Sequence, residues 1–379
     1  MEMGKLNVGF LGFGEAGYHF AKDLTHAGLP GIVAYSPSGA KAGPGDPLRT
    51  RAAEASVELV RSPRELCKRA QLIIALVPGR AALKTLRSVR AHLSAEHIYV
   101  DASTAAVKAM EQAGIKGLPK TWAEFNADCD KAVAAHLICL AHFSADWTDA
   151  TTFEVVLYGQ DIDLFRKAFV EGDTKAMRSP GMVKALEQMR LMVSKYMDPG
   201  IAGRDYDTAT SMIAKGQAVF MIMGDWQIGI FTAAGLKTPA DYQCGQAPTD
   251  WGKPGFILNS DSVVFFKQKD PDYVAGQTLL AHLIMSPKFQ TVFNQAKGSI
   301  PARLDIDLKD FNPCQQQSQK ALQASIKDGT LVRSLAHNMT LLQKYRGAIL
   351  DTITSFVNNP KMTPEEAASA MADAVDAQK

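Results

Sequence analysis

Long hydrophobic runs are missing from this 379-residue sequence. None approaches the ~20 consecutive apolar residues of a membrane-spanning helix, so no transmembrane segment is expected. An excess of charge of one sign is missing too. Lysine and arginine number 41 against 39 acids, a net charge of +2, and no Lys/Arg block stands out, which removes the electrostatic case for nucleic acid. Cysteine is sparse: Cys67, Cys129, Cys139, Cys244 and Cys314 form no C-x-x-C, so neither a zinc site nor a dithiol redox motif is indicated. The opening Met-Glu-Met-Gly-Lys-Leu-Asn lacks the basic region, apolar core and cleavage site of a secretory signal, and the chain as written is expected in the cytoplasm.

What is present divides in two. The first 104 residues hold 13 Lys/Arg against 9 Asp/Glu, and all four tryptophans (Trp122, Trp147, Trp226, Trp251) come later, so the two regions differ in kind. In the first, short apolar runs at Leu6–Leu11, Ile32–Tyr35, Val57–Val60, Leu72–Val77 and Ile98–Val100 alternate with amphipathic stretches such as Tyr18–Ala27 and Arg80–Leu93. Strands alternating with helices predict a parallel sheet, and strands as apolar as Leu72–Val77 fit burial on both faces. From about Val107 helices dominate: Thr121–Ala135, Leu164–Phe169, Pro180–Tyr196, Thr208–Met221, Pro271–Met285 and Pro364–Ala374, with Val263–Phe266 as the clearest strand. Ser179-Pro180 and Thr363-Pro364-Glu365-Glu366 read as N-caps followed by proline at the first helical position. Thr121 with Glu124 reads as a capping box, which gives Trp122 a structural role.

Gly12-Phe13-Gly14-Glu15-Ala16-Gly17 is a G-x-G-x-x-G turn between an apolar strand and a helix. There Gly12, Gly14 and Gly17 permit a tight turn and let backbone N–H groups approach a pyrophosphate at a helix N-terminus. The next strand ends at Ser36-Pro37-Ser38 without the acid that holds a ribose 2′-hydroxyl, which favours NADP over NAD, although Ser36 is equally read as the end of a strand in a turn. With Val8–Gly17, Leu72–Gly79 and Tyr99–Thr104, the first ~100 residues resemble the NAD(P)-binding domain of the 6-phosphogluconate and 3-hydroxyisobutyrate dehydrogenase family. That resemblance implies cofactor contacts for Val77, Pro78 and Ser103. The family's catalytic lysine and helical domain do not follow Thr104, so dehydrogenase activity is not expected.

From about Ala113 to Ala374 the chain resembles a sugar-binding protein of an ABC transporter, of the glucose/mannose type. The landmarks are Ala113–Phe125, Met223-Gly224-Asp225-Trp226, Asn259-Ser260-Asp261-Ser262, Lys297–Arg303 and Ala336-His337-Asn338-Met339. The resemblance implies that Trp226 stacks on a pyranose ring, that Asp261, Lys297 and His337 bond its hydroxyls, and that Trp147 is a second stacking candidate. Each has an ordinary alternative: Trp226 in a core, Asp261 in an Asx turn, Lys297 as a helix C-terminal charge, His337 as a structural histidine. Cys244 and Cys314 are expected close enough to bridge under oxidising conditions, with the reduced pair favoured without a signal sequence.

The expected fold class is α/β, a two-lobed architecture like a periplasmic binding protein with a Rossmann-like parallel sheet in the first lobe. Lobe one would combine 1–105 with roughly 257–305, and lobe two 106–256 with 306–379, the splice lying between about Thr104 and Val107. The expected function is binding of a glucose-like monosaccharide by a monomer, with an ABC transporter permease as possible partner and no cofactor required. An NADP(H)-binding, oxidoreductase-related protein and a folded chimera without retained ligand are the alternatives. His142, Ser144 and Asp146 lie too close in sequence to read as a catalytic triad.

Overall fold

Strand and helix alternate through the first hundred residues of the computed structural model, which describes residues 7–41, 43, 45–77, 79–101 and 106–379. The chain divides into two compact units, Met1–Lys108 and Ala109–Lys379. The first is built on β1 (Val8–Leu11), β2 (Val33–Tyr35), β3 (Glu58–Leu59), β4 (Leu72–Ala75) and β5 (Ile98–Asp101), with α1 (Glu15–His26), α2 (Pro47–Glu54), α3 (Pro63–Arg69) and α4 (Gly79–Arg90) as crossovers. All five strands are parallel, in the order β3-β2-β1-β4-β5. Alternation along the strands sorts side chains into two cores. Val8, Phe10 and Ala34 join Phe13, Ala21 and Ala52, whereas Leu11, Val33, Ile73 and Ala75 join Leu66, Cys67 and Val89. This is the Rossmann-like sheet that the apolar runs predict, with helices covering both faces.

The second unit is mostly helical, with two small parallel sheets: β6 (Ile138–Leu140) pairs with β7 (Ala218–Phe220), and β8 (Phe256–Leu258) with β9 (Leu331–Arg333). Its core joins Trp122, Phe125, Phe153, Phe165, Phe169, Met189, Phe356 and Met371. The caps fall where the sequence places them. Thr121 accepts from the Glu124 N–H while the Glu124 carboxylate reaches the Lys120 N–H, Ser179 accepts from Met182, and Thr363 with Glu366 forms a capping box. Trp122 is buried, as its structural reading requires.

Two expected elements differ in the structure. The helix expected over Thr208–Met221 runs only from Tyr206 to Ala214, because Gly216 at φ +66° ends it and the chain continues as β7. Val263–Phe266 is not a strand. Val263, Val264 and Phe266 are 58%, 73% and 79% exposed, and no sheet among the described residues includes them, so the run has no ladder to join. The following helix, Pro271–Ile284, has no buried residue and exposes Val274, Leu279, Leu280 and Leu283. Residues 257–305 are grouped with the second unit, where β8 pairs with β9. Among the described residues, no helix is long and apolar enough to cross a membrane.

Candidate functional site

In the second unit, β7 leads into Met223-Gly224-Asp225-Trp226 and the helix Gln227–Ala233 begins directly after the tryptophan. Residue 224 must be small, because a Cβ there would meet the Trp226 ring at 2.1 Å. Asp225 is held below this turn, its carboxylate accepting from the Ser318 hydroxyl at 3.4 Å, and burial pushes its carboxyl up to about 6. Trp147 comes from the first turn of the helix Asp146–Gln160, Tyr206 from the start of the helix Tyr206–Ala214, and His337 from the loop after β9. Their rings converge. Trp147 lies 6.4 Å from Trp226 and 6.1 Å from His337, and Trp226 lies 5.1 Å from His337, between ring centroids. Phe143 and Tyr206 extend the group, at 5.6 and 6.4 Å from Trp147. The Tyr206 hydroxyl donates to Gln227 Oε1 at 2.6 Å, and burial pushes its phenol up to about 12. All four rings of the Trp147, Trp226, Tyr206 and His337 set are half-buried, so apolar ring surface remains available beside polar edges.

The polar candidates are arranged differently. Lys297, the last residue of the helix Pro287–Lys297, forms an ion pair with exposed Asp261, and Gly298 ends the helix in the left-handed conformation at φ +90°. The charge at a helix C-terminus is therefore real, and it is paired with the second candidate. Asp261 lies within electrostatic reach of His337, where its charge opposes burial and Arg346, which together pull the imidazole below its ordinary range. Behind His337 lies Glu154, 2% exposed. It accepts from the Ser334 hydroxyl at 2.7 Å and from the Leu335 and Ala336 N–H groups at 2.8 and 3.1 Å. Arg346 donates to the carbonyls of Leu335 and Ala336. The loop that carries His337 is thus clamped from both sides of its backbone.

The structure brings together Trp226, Trp147 and His337, with Asp261 and Lys297 as a mutual pair close by. Sequence reasoning missed Tyr206, Phe143, Glu154 and Arg346. A lone acid in Thr152-Phe153-Glu154-Val155-Val156 was the available signal, since a carboxylate inside a helix buried nearly all round must find partners. His142 Nε2 and the Ser144 hydroxyl both bond one carboxylate, Asp149, at 2.7 and 2.8 Å, while Asp146 accepts from the Trp147 N–H. Cys244 and Cys314 form a disulfide, as their expected closeness allows, and a second bridge, Cys129–Cys139, was not foreseen. Cys67 is free and buried.

In the first unit the glycine turn follows β1 as expected. Gly12 sits at φ +94° and donates its N–H to the Tyr35 carbonyl at 2.8 Å; a Cβ there would lie 2.3 Å from the Leu76 carbonyl oxygen and 2.8 Å from Val77. Gly17 is buried against the Gly12 carbonyl. Gly14 is the N-cap of α1, and no described residue comes within 4 Å of where a Cβ on it would stand. The Ser36 hydroxyl accepts from the Gly39 N–H at 2.9 Å, so it closes the turn after β2. Val77 lies beside the turn, whereas Pro78 and Ser103 fall outside the described residues.

Residues 98–331 match the family model described as bacterial extracellular solute-binding protein, and residues 7–116 the model described as NAD binding domain of 6-phosphogluconate dehydrogenase. The chain is similar to a probable sugar-binding periplasmic protein of Mesorhizobium japonicum, 37% identical over 68% of this chain and 61% of that protein. A protein of the same description from Rhizobium meliloti is 35% identical over 72% of this chain and 64% of its own length. The chain therefore spans less than two thirds of these relatives. Among solved structures, a chitin oligosaccharide binding protein shares the fold at TM-score 0.55 and 16% identity, covering 72% of this chain and 68% of that one. A maltose-bound T. maritima MalE3 does so at TM-score 0.54 and 14% identity, over 98% of this chain and 100% of that one.

Proposed function

The chain belongs to the bacterial extracellular solute-binding protein family, and on that premise we propose that its second unit binds a glucose-like monosaccharide without transforming it. The observation that carries this reading is the convergence of Trp147, Trp226 and His337 within 5.1–6.4 Å of one another. A pyranose offers an apolar C–H face to an aromatic ring and hydroxyls to polar edges, and this group supplies both. Asp261 and Lys297 would exchange part of their ion pair for sugar hydroxyls, since charge-assisted bonds are the stronger kind. The receiver of the bound sugar would be an ABC transporter permease. Two disulfides suit an oxidising compartment and favour work outside the cytoplasm, against the expectation drawn from the opening residues. Titration calorimetry with D-glucose, D-mannose and D-galactose tests the reading; a protein that gives no heat with any of them up to millimolar sugar rules it out.

A second reading rests on its own observation, the N-terminus of α1 at Gly14, where no described residue comes within 4 Å of a Cβ position. Gly12, Gly14 and Gly17 would let backbone N–H groups hold the pyrophosphate of NADP, with Val77 flanking the turn and Ser36 engaged by Gly39. NADPH fluorescence on titration, compared with Gly14→Val, tests it: identical curves exclude the site. Silence in both titrations would leave a composite chain with no retained ligand.

A further inference from the structure

Glu154, Ser334 and His337 form a continuous chain of hydrogen-bonding groups that starts in the buried interior and ends among the aromatic rings. The Ser334 oxygen lies 2.7 Å from Glu154 Oε1, 2.9 Å from His337 Nδ1 and 3.1 Å from the His337 backbone nitrogen. A hydroxyl has one proton to donate and two lone pairs to accept with. Glu154 Oε2 is already occupied by the Leu335 and Ala336 N–H groups, and Oε1 faces the serine. When the carboxylate is ionised it can only accept, so the Ser334 proton must point at Oε1. The serine lone pairs then receive the His337 N–H and, necessarily, a proton on Nδ1. A neutral imidazole protonated at Nδ1 carries a lone pair at Nε2, the nitrogen at the far end of the ring from the serine.

We propose that Glu154, acting through Ser334, fixes the tautomer of His337 as Nδ1–H, so that Nε2 presents an acceptor and selects a ligand group that donates a proton. Glu154 and Ser334 are positioning residues in this scheme, with Glu154 two bonds removed from any ligand. The consequence for sugar recognition rests on the function proposed above; the tautomer itself does not. If Glu154 gains a proton on Oε1, that proton points at the Ser334 oxygen and the serine hydroxyl turns to donate to Nδ1. The imidazole then releases its Nδ1 proton to solvent and takes one at Nε2, which converts the acceptor into a donor. The charged groups facing this chain are Arg346, whose guanidinium favours the ionised carboxylate and the neutral imidazole, and Asp261, which acts the other way on His337. Asp146 in turn faces Arg346.

The test is ¹⁵N-resolved NMR of the histidine side chains at pH 8.5 in the ligand-free full chain, with His337 assigned by His337→Gln. The wild type should show a pyrrole-type Nδ1 and a pyridine-type Nε2. Glu154→Gln replaces the accepting Oε1 by an N–H₂ that donates to Ser334 and should invert the assignment to Nε2–H; Ser334→Ala, which deletes the connection, should remove the preference for Nδ1–H and serves where Glu154→Gln does not fold. A wild-type imidazole protonated at Nε2, or a tautomer unchanged in both variants, overturns the proposal. Calorimetry with D-glucose on the same samples separates the two ideas: an inverted tautomer in a protein that never binds glucose keeps the relay and removes the sugar reading.

Discussion

Replacing Glu154 by glutamine should change how the stability of the second unit responds to pH. Burial pushes this carboxyl from its ordinary 4.5 up to about 7, against the opposing pull of Ser334, the Ala336 and Leu335 N–H groups and Arg346. The folded-state value lies above the unfolded one, so the group's contribution is complete below pH 4.5 and is lost as pH rises through 7. A shift of that size corresponds to about 3 kcal/mol between pH 4 and pH 8.5. Glutamine keeps an acceptor for the two N–H groups and cannot ionise, so the variant should lack this component, and the wild type should lose about 3 kcal/mol more than the variant across the interval. Urea unfolding followed by tryptophan fluorescence is the assay. Trp122, Trp147, Trp226 and Trp251 all lie in the second unit, so the signal ignores the first. Parallel pH profiles for wild type and Glu154→Gln would refute the reasoning, because they would mean that no proton is taken up by Glu154 on folding.

Removing the disulfides should cost stability in proportion to the loops they close. Cys244–Cys314 spans 70 residues and Cys129–Cys139 spans 10, which by loop entropy alone gives about 4 and about 3 kcal/mol, measurable as unfolding midpoints of the paired alanine variants; a larger loss for the short loop would contradict the estimate. The exposed run Val263–Phe266 and the helix Pro271–Ile284 should make the chain self-associate, and Val264→Lys with Phe266→Lys and Leu279→Glu should reduce light scattering at equal concentration without lowering the unfolding midpoint. In the glycine turn, Gly12→Ala should destabilise the first unit by ~1–2 kcal/mol or more, since it combines a positive φ with a 2.3 Å approach to the Leu76 carbonyl, whereas Gly14→Val, at the extended N-cap of α1, should cost no more than the ~1 kcal/mol of a poor cap, both read as thermal midpoints by circular dichroism.

The first unit was legible because its signals are local. Strands buried on both faces are apolar runs, and the glycine turn stands between β1 and α1 in the order the sequence shows. The second unit was legible where caps announce helices, as at Thr121, Ser179 and Thr363. Val263–Phe266 failed because a strand is defined by a partner, which a window of sequence does not contain. The site was half-legible for the same reason. Trp226 and His337 carry the resemblance, but Tyr206 reads as a helix start after the Asp205 cap, and its place among the rings depends on residues 59 positions away at Trp147 and beyond. Arg346 gave no sign that it would clamp carbonyls eleven and ten residues back.

The ring group around Trp226 is proposed above as a sugar site. Calorimetric titration of D-glucose into the wild type and into Trp226→Ala at matched concentration tests it most directly. The wild type should give saturable heat and the variant an affinity at least ~10-fold weaker, as expected when about 1.4 kcal/mol of ring stacking is lost. Equal affinity in both proteins, with the variant folded, would contradict it.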